Sequence, residues 1–247
     1  MTKKEAFRRL VEDVANCHIC EKLVTLPHVH NSEYLENDDH GLSTEHPYIN
    51  RWNLWQGGLD ADIMVIGQDY GTKEDGNAFE VCNYTDTANP TDNRLKQLFK
   101  CAFGIDINSK DERLFFTNMA NCYRHRKTSG GMNSAWLPIC ANKFMSRLIE
   151  IIRPKTIIVL GRAAFEALYC MEDLKIVCLD SVNGGKDSYS EIISHRFQID
   201  LDGAKINVFP VFHPGSNSKI NRSKEQQIKD WKRIAEHHEW RNRTDDK

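Results

Sequence analysis

The stretch Ala61-Asp-Ile-Met-Val-Ile-Gly-Gln-Asp-Tyr-Gly71 decides how the chain is read. Ile63 to Ile66 is a short apolar run holding two isoleucines and a valine, and Gly67 closes it. Such a run predicts a strand buried on both faces that enters a turn. Gln68 and Asp69 then stand at a strand's carboxyl end, the edge of an open parallel sheet where diverging connections leave a crevice for ligands. Gly71 would let the backbone approach a ligand closely. The plainer alternative is an ordinary strand followed by a polar turn.

The 247 residues have room for one α/β domain, and no Pro/Gly/Ser linker divides them. The expectation is therefore one domain over residues 1–247, with a helix, cysteines and an irregular segment over 1–58 and an αβα core over 59–247. The chain is 40% hydrophobic and 28% charged, with no apolar run that would span a bilayer and no signal-peptide pattern, so a cytoplasmic protein away from membranes is expected. A net charge of −2 excludes a whole-protein field that attracts nucleic acid, and any DNA contact must come from a local basic surface. Eight cysteines in such a chain point to metal ligands or free thiols before disulfides.

Working outward, residues 3–16 carry Phe7, Leu10, Val11 and Val14 at the spacing of an amphipathic helix. It runs into Cys17-His-Ile-Cys20, a C-x2-C pair able to share one metal centre. Residues 26–56 show no period and predict a long irregular segment, its four histidines matching no simple metal site. Beyond the central turn, residues 72–90 form a polar loop around Phe79, either a core anchor or a ring on which a planar ligand stacks. A helix is expected from Thr91-Asp92, and a second strand, Arg113 to Asn118, again ends in a polar residue. Asn121 to Gly131 is a cationic loop with Cys122, followed by a helix over 136–152 carrying Cys140. Lys155 to Gly161 is a third strand with a helix directly after it, residues 170–205 have no clear order, and Ile206 to Phe212 is a fourth strand ending at His213-Pro214-Gly215. An amphipathic helix over 223–240 closes the series. Alternating strands and helices predict an α/β, three-layer αβα sandwich with a mainly parallel central sheet of about four strands.

In this order, the GQDYG turn, Thr117-Asn118, Cys122 and His213-Pro214 resemble the uracil-DNA glycosylase superfamily. The closest similarity is to its iron–sulfur branch, often called family 4, and covers nearly the whole chain. That branch has C-x2-C near its N-terminus, a strand ending in G-E-A-P-G, a phenylalanine in the next loop, a strand ending in TN, two further cysteines and a final HPS. Here the corresponding positions are Cys17 and Cys20, Gly67 to Gly71, Phe79, Thr117-Asn118, Cys122, Cys140 and His213-Pro214. Gln68-Asp69 replaces Glu-Ala and is similar to the GQDPYH motif of the cluster-free enzymes, without its proline. Gly215 stands where the pattern has serine.

The resemblance implies a monofunctional DNA glycosylase that hydrolyses the bond between a pyrimidine, uracil first, and deoxyribose. Asp69 would orient the attacking water and offset positive charge on the sugar, while His213 would hydrogen-bond the leaving base. Asn118 would read the base edge, with a cytosine-like edge open to the flipped amide. Phe79 would stack on the base, and Gly67, Gln68 and Tyr70 would line the pocket. Arg124, Arg126, Lys127, Lys219 and Arg222 are candidates for phosphate contacts to single- or double-stranded DNA, or else a solvated charged face. Cys17, Cys20, Cys122 and Cys140 would hold a 4Fe-4S cluster, with zinc as the alternative metal. A monomer is expected. The rival functions are excision of another deaminated or modified base, such as a modified cytosine in foreign DNA, and a non-catalytic nucleic-acid-binding relative.

Overall fold

The computed structural model describes residues 1–17, 19, 28–29, 58–69, 90–107, 111–121, 123–124, 136–180, 188–215 and 222–240. Helix α1 (Lys3–Ala15) begins at a capping box, in which the Thr2 hydroxyl accepts from the Glu5 backbone N–H and the Glu5 carboxylate accepts from that of Thr2. Strands β1 (His28–Val29) and β2 (Ile63–Gly67) follow, then α2 (Pro90–Phe103), β3 (Leu114–Asn118) and β4 (Tyr123–Arg124). Next come α3 (Trp136–Cys140), a π-helical turn (Ala141–Met145), α4 (Ser146–Ile152), β5 (Thr156–Leu160) and α5 (Arg162–Tyr169). The chain continues through β6 (Ile176–Cys178), α6 (Tyr189–Ile192), β7 (Phe197–Leu201), β8 (Ala204–Val211) and α7 (Lys224–Glu236).

The main sheet, among the described residues, has six strands in the order β3-β2-β5-β8-β7-β6. Its first four strands are mutually parallel, and β7 and β6 add antiparallel at one side. The parallel part is the sheet expected from the apolar runs. The extra hairpin occupies the stretch that sequence periodicity left unordered. The turn from β7 into β8 is Asp202-Gly203, with φ of 52° and 82°, the left-handed pair that a tight hairpin needs and that Asp-Gly supplies. A separate antiparallel pair joins β1 to β4, tying the segment read as irregular to the start of the cationic loop.

Alternate residues of each parallel strand enter two cores. Met64, Ile66, Phe115, Ile157, Val159, Ile206 and Val208 face α1, α3, α4 and α5. Ile63, Val65, Leu114, Phe116, Ile158, Leu160, Phe209 and Val211 face α2 and α7. Burial on both faces explains why these strands read as continuous apolar runs, without polar alternation. The result is the three-layer αβα arrangement. Pro210 sits in β8 beyond the last residue paired to β7, so its missing N–H breaks no ladder on that side. No helix among the described residues is long and apolar enough to cross a membrane.

Candidate active site

β2 lies at the point where the sheet order reverses, with β3 on one side and β5 on the other, and crevices form at such points. Gly67 pairs in register with Asn118, so the ends of β2 and β3 are level. The pairing runs on past both strands, through Met119 N–H to the Gly67 carbonyl at 2.8 Å and Ala120 N–H to the Gln68 carbonyl at 3.0 Å. That ladder fixes the direction in which Gln68 and Asp69 leave the sheet. The Gln68 amide donates from Nε2 to Asp69 Oδ2 at 3.0 Å, which orients the carboxylate.

Asn118 is buried, and its Oδ1 has no hydrogen-bond partner among the described residues. The same holds for Thr117 Oγ1 and for Oδ1 of Asn121, also buried. An unpaired buried polar atom costs about 1–3 kcal/mol, which a ligand offering a donor would relieve. Asn121 escapes sequence reasoning because nothing distinguishes it from a turn asparagine.

His213 arrives from β8, two strand spacings, or roughly 10 Å, from β2. The Val211 carbonyl just before it accepts from Gly161 N–H at 2.8 Å and from the buried Tyr189 hydroxyl at 2.9 Å. The Tyr189 ring meets Phe212 edge-on at 5.1 Å, and burial raises the phenol's pKa, keeping it a donor. Gly161 has φ of 93°, and a Cβ there would lie 3.4 Å from His213 Cβ. The strand end carrying the histidine is thus held by two donors and one close glycine. Tyr189 carries no motif that would have singled it out, whereas Gly161 belongs to the Leu160-Gly161 turn visible in the sequence.

The imidazole itself is fixed by Gly215, whose backbone N–H donates to His213 Nδ1 at 3.1 Å. Nδ1 is therefore the acceptor, and in the neutral ring the proton sits on Nε2. Burial holds the imidazole below its ordinary pKa, while the nearby Asp69 carboxylate pulls in the opposite direction. The outcome is a neutral ring with a single N–H donor. A Cβ on residue 215 would lie 3.0 Å from His213 Nδ1 and 3.2 Å from Thr91 Oγ1, tighter than nearly all ordinary contacts. Glycine at 215 therefore leaves the ring its seat.

The structure brings together Gly67, Gln68, Asp69, Asn118 and His213 at one edge of the sheet. Arg222 instead forms a bidentate pair with Asp230, Nε to Oδ2 at 2.9 Å and Nη2 to Oδ1 at 2.6 Å, with its guanidinium 6.0 Å over Phe212. Arg124 lies in β4, opposite His28. Tyr70, Phe79, Arg126, Lys127 and Lys219 lie outside the described residues, as do Cys20 and Cys122. Cys17 and Cys140 are both buried in the core cluster beneath α1, α3 and α4. Among the described residues no group of three or more His, Cys, Asp or Glu gathers to hold a metal.

Residues 54–235 match the sequence model of the Uracil DNA glycosylase superfamily. The chain is similar to a type-4 uracil-DNA glycosylase of Saccharolobus solfataricus, 26% identical over 161 residues, 65% of this chain and 64% of that protein. It is also similar to the type-4 uracil-DNA glycosylase of Archaeoglobus fulgidus, 26% identical over 93 residues, 38% of this chain and 42% of that protein. The alignments span less than two thirds of either relative's length. A parallel sheet whose strand ends present a Gln-Asp turn, an asparagine and a histidine, within a family match that covers most of the chain, gives one conclusion: the protein belongs to the uracil DNA glycosylase superfamily.

Proposed function

We propose that the protein is a monofunctional DNA glycosylase that hydrolyses the N-glycosidic bond of a flipped-out pyrimidine, uracil first, in single- or double-stranded DNA. The observation that carries this reading is the hydrogen bond from Gly215 N–H to His213 Nδ1 at 3.1 Å, which makes Nε2 the ring's donor toward a developing anion. Hydrolysis breaks the bond between the base nitrogen and C1′, leaving the electron pair on the base and positive charge on the sugar. His213 Nε2–H donates to the pyrimidine O2 as that charge accumulates, a preorganised donor in a water-poor site. Asp69, on the other side of the crevice, offsets the sugar's charge and orients a water whose oxygen bonds to C1′ and whose proton passes to the carboxylate. Gln68 holds the carboxylate in place.

Asn118 offers an amide to the N3–H and O4 edge of uracil, in keeping with its buried oxygen, which has no partner among the described residues. Gly67 lets the base lie against the backbone, while Tyr70 and Phe79 complete the pocket. Arg124, Arg126, Lys127 and Lys219 bind phosphates; Arg222, through Asp230, braces the chain beyond the histidine and meets DNA only by releasing that pair. Cys17, Cys20, Cys122 and Cys140 hold a 4Fe-4S cluster, with zinc the alternative. The two described thiols suit this set, since both are buried in one apolar cluster whereas Cys101 and Cys170 are exposed. Such a cluster would cross-link the end of α1 to α3, since hydrolysis needs no electron transfer.

The test is base release from matched oligonucleotides, single- and double-stranded, carrying uracil, hypoxanthine, mismatched thymine or modified cytosines, followed by alkaline cleavage. Uracil release supports the reading. Release of only a modified base would keep the chemistry and change the substrate, and DNA binding without any release would favour the non-catalytic alternative.

A further inference from the structure

We infer that Lys143 is a positioning residue for the metal centre: its ammonium supplies a hydrogen bond to the Cys17 sulfur and thereby tunes and protects a cluster bound there. The inference rests on the reading of Cys17 as a cluster ligand. Lys143 Nζ lies 3.3 Å from Cys17 Sγ, within hydrogen-bond reach of sulfur, although 126 residues separate the two. The contact is placed by an unusual local fold. Lys143 stands in the π-helical turn, Ala141–Met145, that immediately follows Cys140. A π turn is wider than an α turn, and here three consecutive residues, Phe144, Met145 and Ser146, are all buried. Lys143 is left on the exposed side, from which its long side chain returns to the end of α1. An Arg147–Asp13 ion pair at 2.7 Å, between α4 and α1, holds the two helices in this relation.

The same ammonium lies 5.2 Å from the centre of the Phe144 ring, so ring and sulfur together hold it at this place. Once the sulfur carries negative charge as an iron ligand, the contact becomes a charge-assisted hydrogen bond. Four thiolates make the centre anionic, and a cation at one sulfur offsets part of that charge. Withdrawing density from the sulfur favours the more reduced cluster, so the ammonium raises the reduction potential. From the exposed side, the ammonium also covers the Cys17 ligand against exchange.

The experiment uses the full chain purified without oxygen. Iron and acid-labile sulfide are assayed first, then the visible absorbance is followed during exposure to a chelator, and the midpoint potential is measured for wild type, Lys143→Met and Lys143→Arg. The inference predicts that Lys143→Met loses its visible band about tenfold faster than wild type, the low end of what a lost outer hydrogen bond costs a metal site. Its potential should shift negative, with Lys143→Arg restoring most of both effects. Far-ultraviolet circular dichroism separates these effects from a failure to fold. Iron-loaded Lys143→Met with the wild-type loss rate and potential would overturn the role of Lys143 alone. Wild-type protein with zinc, or with no metal, would overturn the cluster reading and this inference with it.

Discussion

His213 illustrates how much a single backbone N–H decides. With Nδ1 occupied by Gly215, protonating His213 means breaking that hydrogen bond as well as charging a half-buried ring. Titration of its ring signals by NMR should give a midpoint below that of an unperturbed histidine. Since Asp69 pulls the other way, Asp69→Asn should lower the midpoint further. Gly215→Ser tests the seat of the ring, because the added Cβ must displace either the imidazole or Thr91. It should lower kcat by roughly two- to tenfold with little change in KM, since the donor shifts by a few tenths of an ångström. Asp69, Asn118 and His213 were legible in the sequence because each follows a short apolar strand. The tautomer was not, since it depends on a turn closing between residues 213 and 215. Nor was the embrace of Arg222 by Asp230, which needs α7 folded back beside the preceding chain.

At the scale of elements, the four parallel strands were legible from their apolar runs and closing glycine, asparagine or histidine. β6 was not, because it is three residues long and leaves Val177 exposed. The Asp202-Gly203 dipeptide was the signal for the β7–β8 hairpin, hidden within a segment that periodicity could not order. The packing of α7 on α2 depends on Arg94, a residue with no motif. Its Nε donates to Gln227 Oε1 at 3.0 Å and its Nη2 to the Lys224 carbonyl at 2.6 Å, from a buried position. Arg94→Met should destabilise the protein by about 2 kcal/mol in a denaturant titration, since it removes charged donors from buried acceptors. Tyr189→Phe should cost about 1 kcal/mol, because Val211 keeps its bond from Gly161. Its clearer effect should be a lower kcat through a looser His213.

For the whole molecule, the sheet gathers the candidate site at its carboxyl edge and a buried polar cluster at the other. There, the buried His238 meets Thr156 Oγ1 through Nδ1 at 2.9 Å, with Asp62 and Lys155 nearby. Burial lowers its pKa from 6.5 to about 4, with Asp62 raising and Lys155 lowering it. Between these values the unfolded chain binds more protons than the folded one. Stability should therefore fall as pH drops from about 6.5 to about 4 and stay level for this group above that range. His238→Gln should reduce the slope of the melting temperature across that window. The proposed joint action of Asp69 and His213 in breaking a glycosidic bond in DNA requires both side chains. Its most direct measurement is the single-turnover rate of uracil release from a labelled oligonucleotide by wild type, Asp69→Asn and His213→Ala, with DNA binding followed in parallel. The prediction is release by wild type, a loss of about a hundredfold or more in each variant, and DNA affinity retained. Release by either variant at the wild-type rate would contradict it.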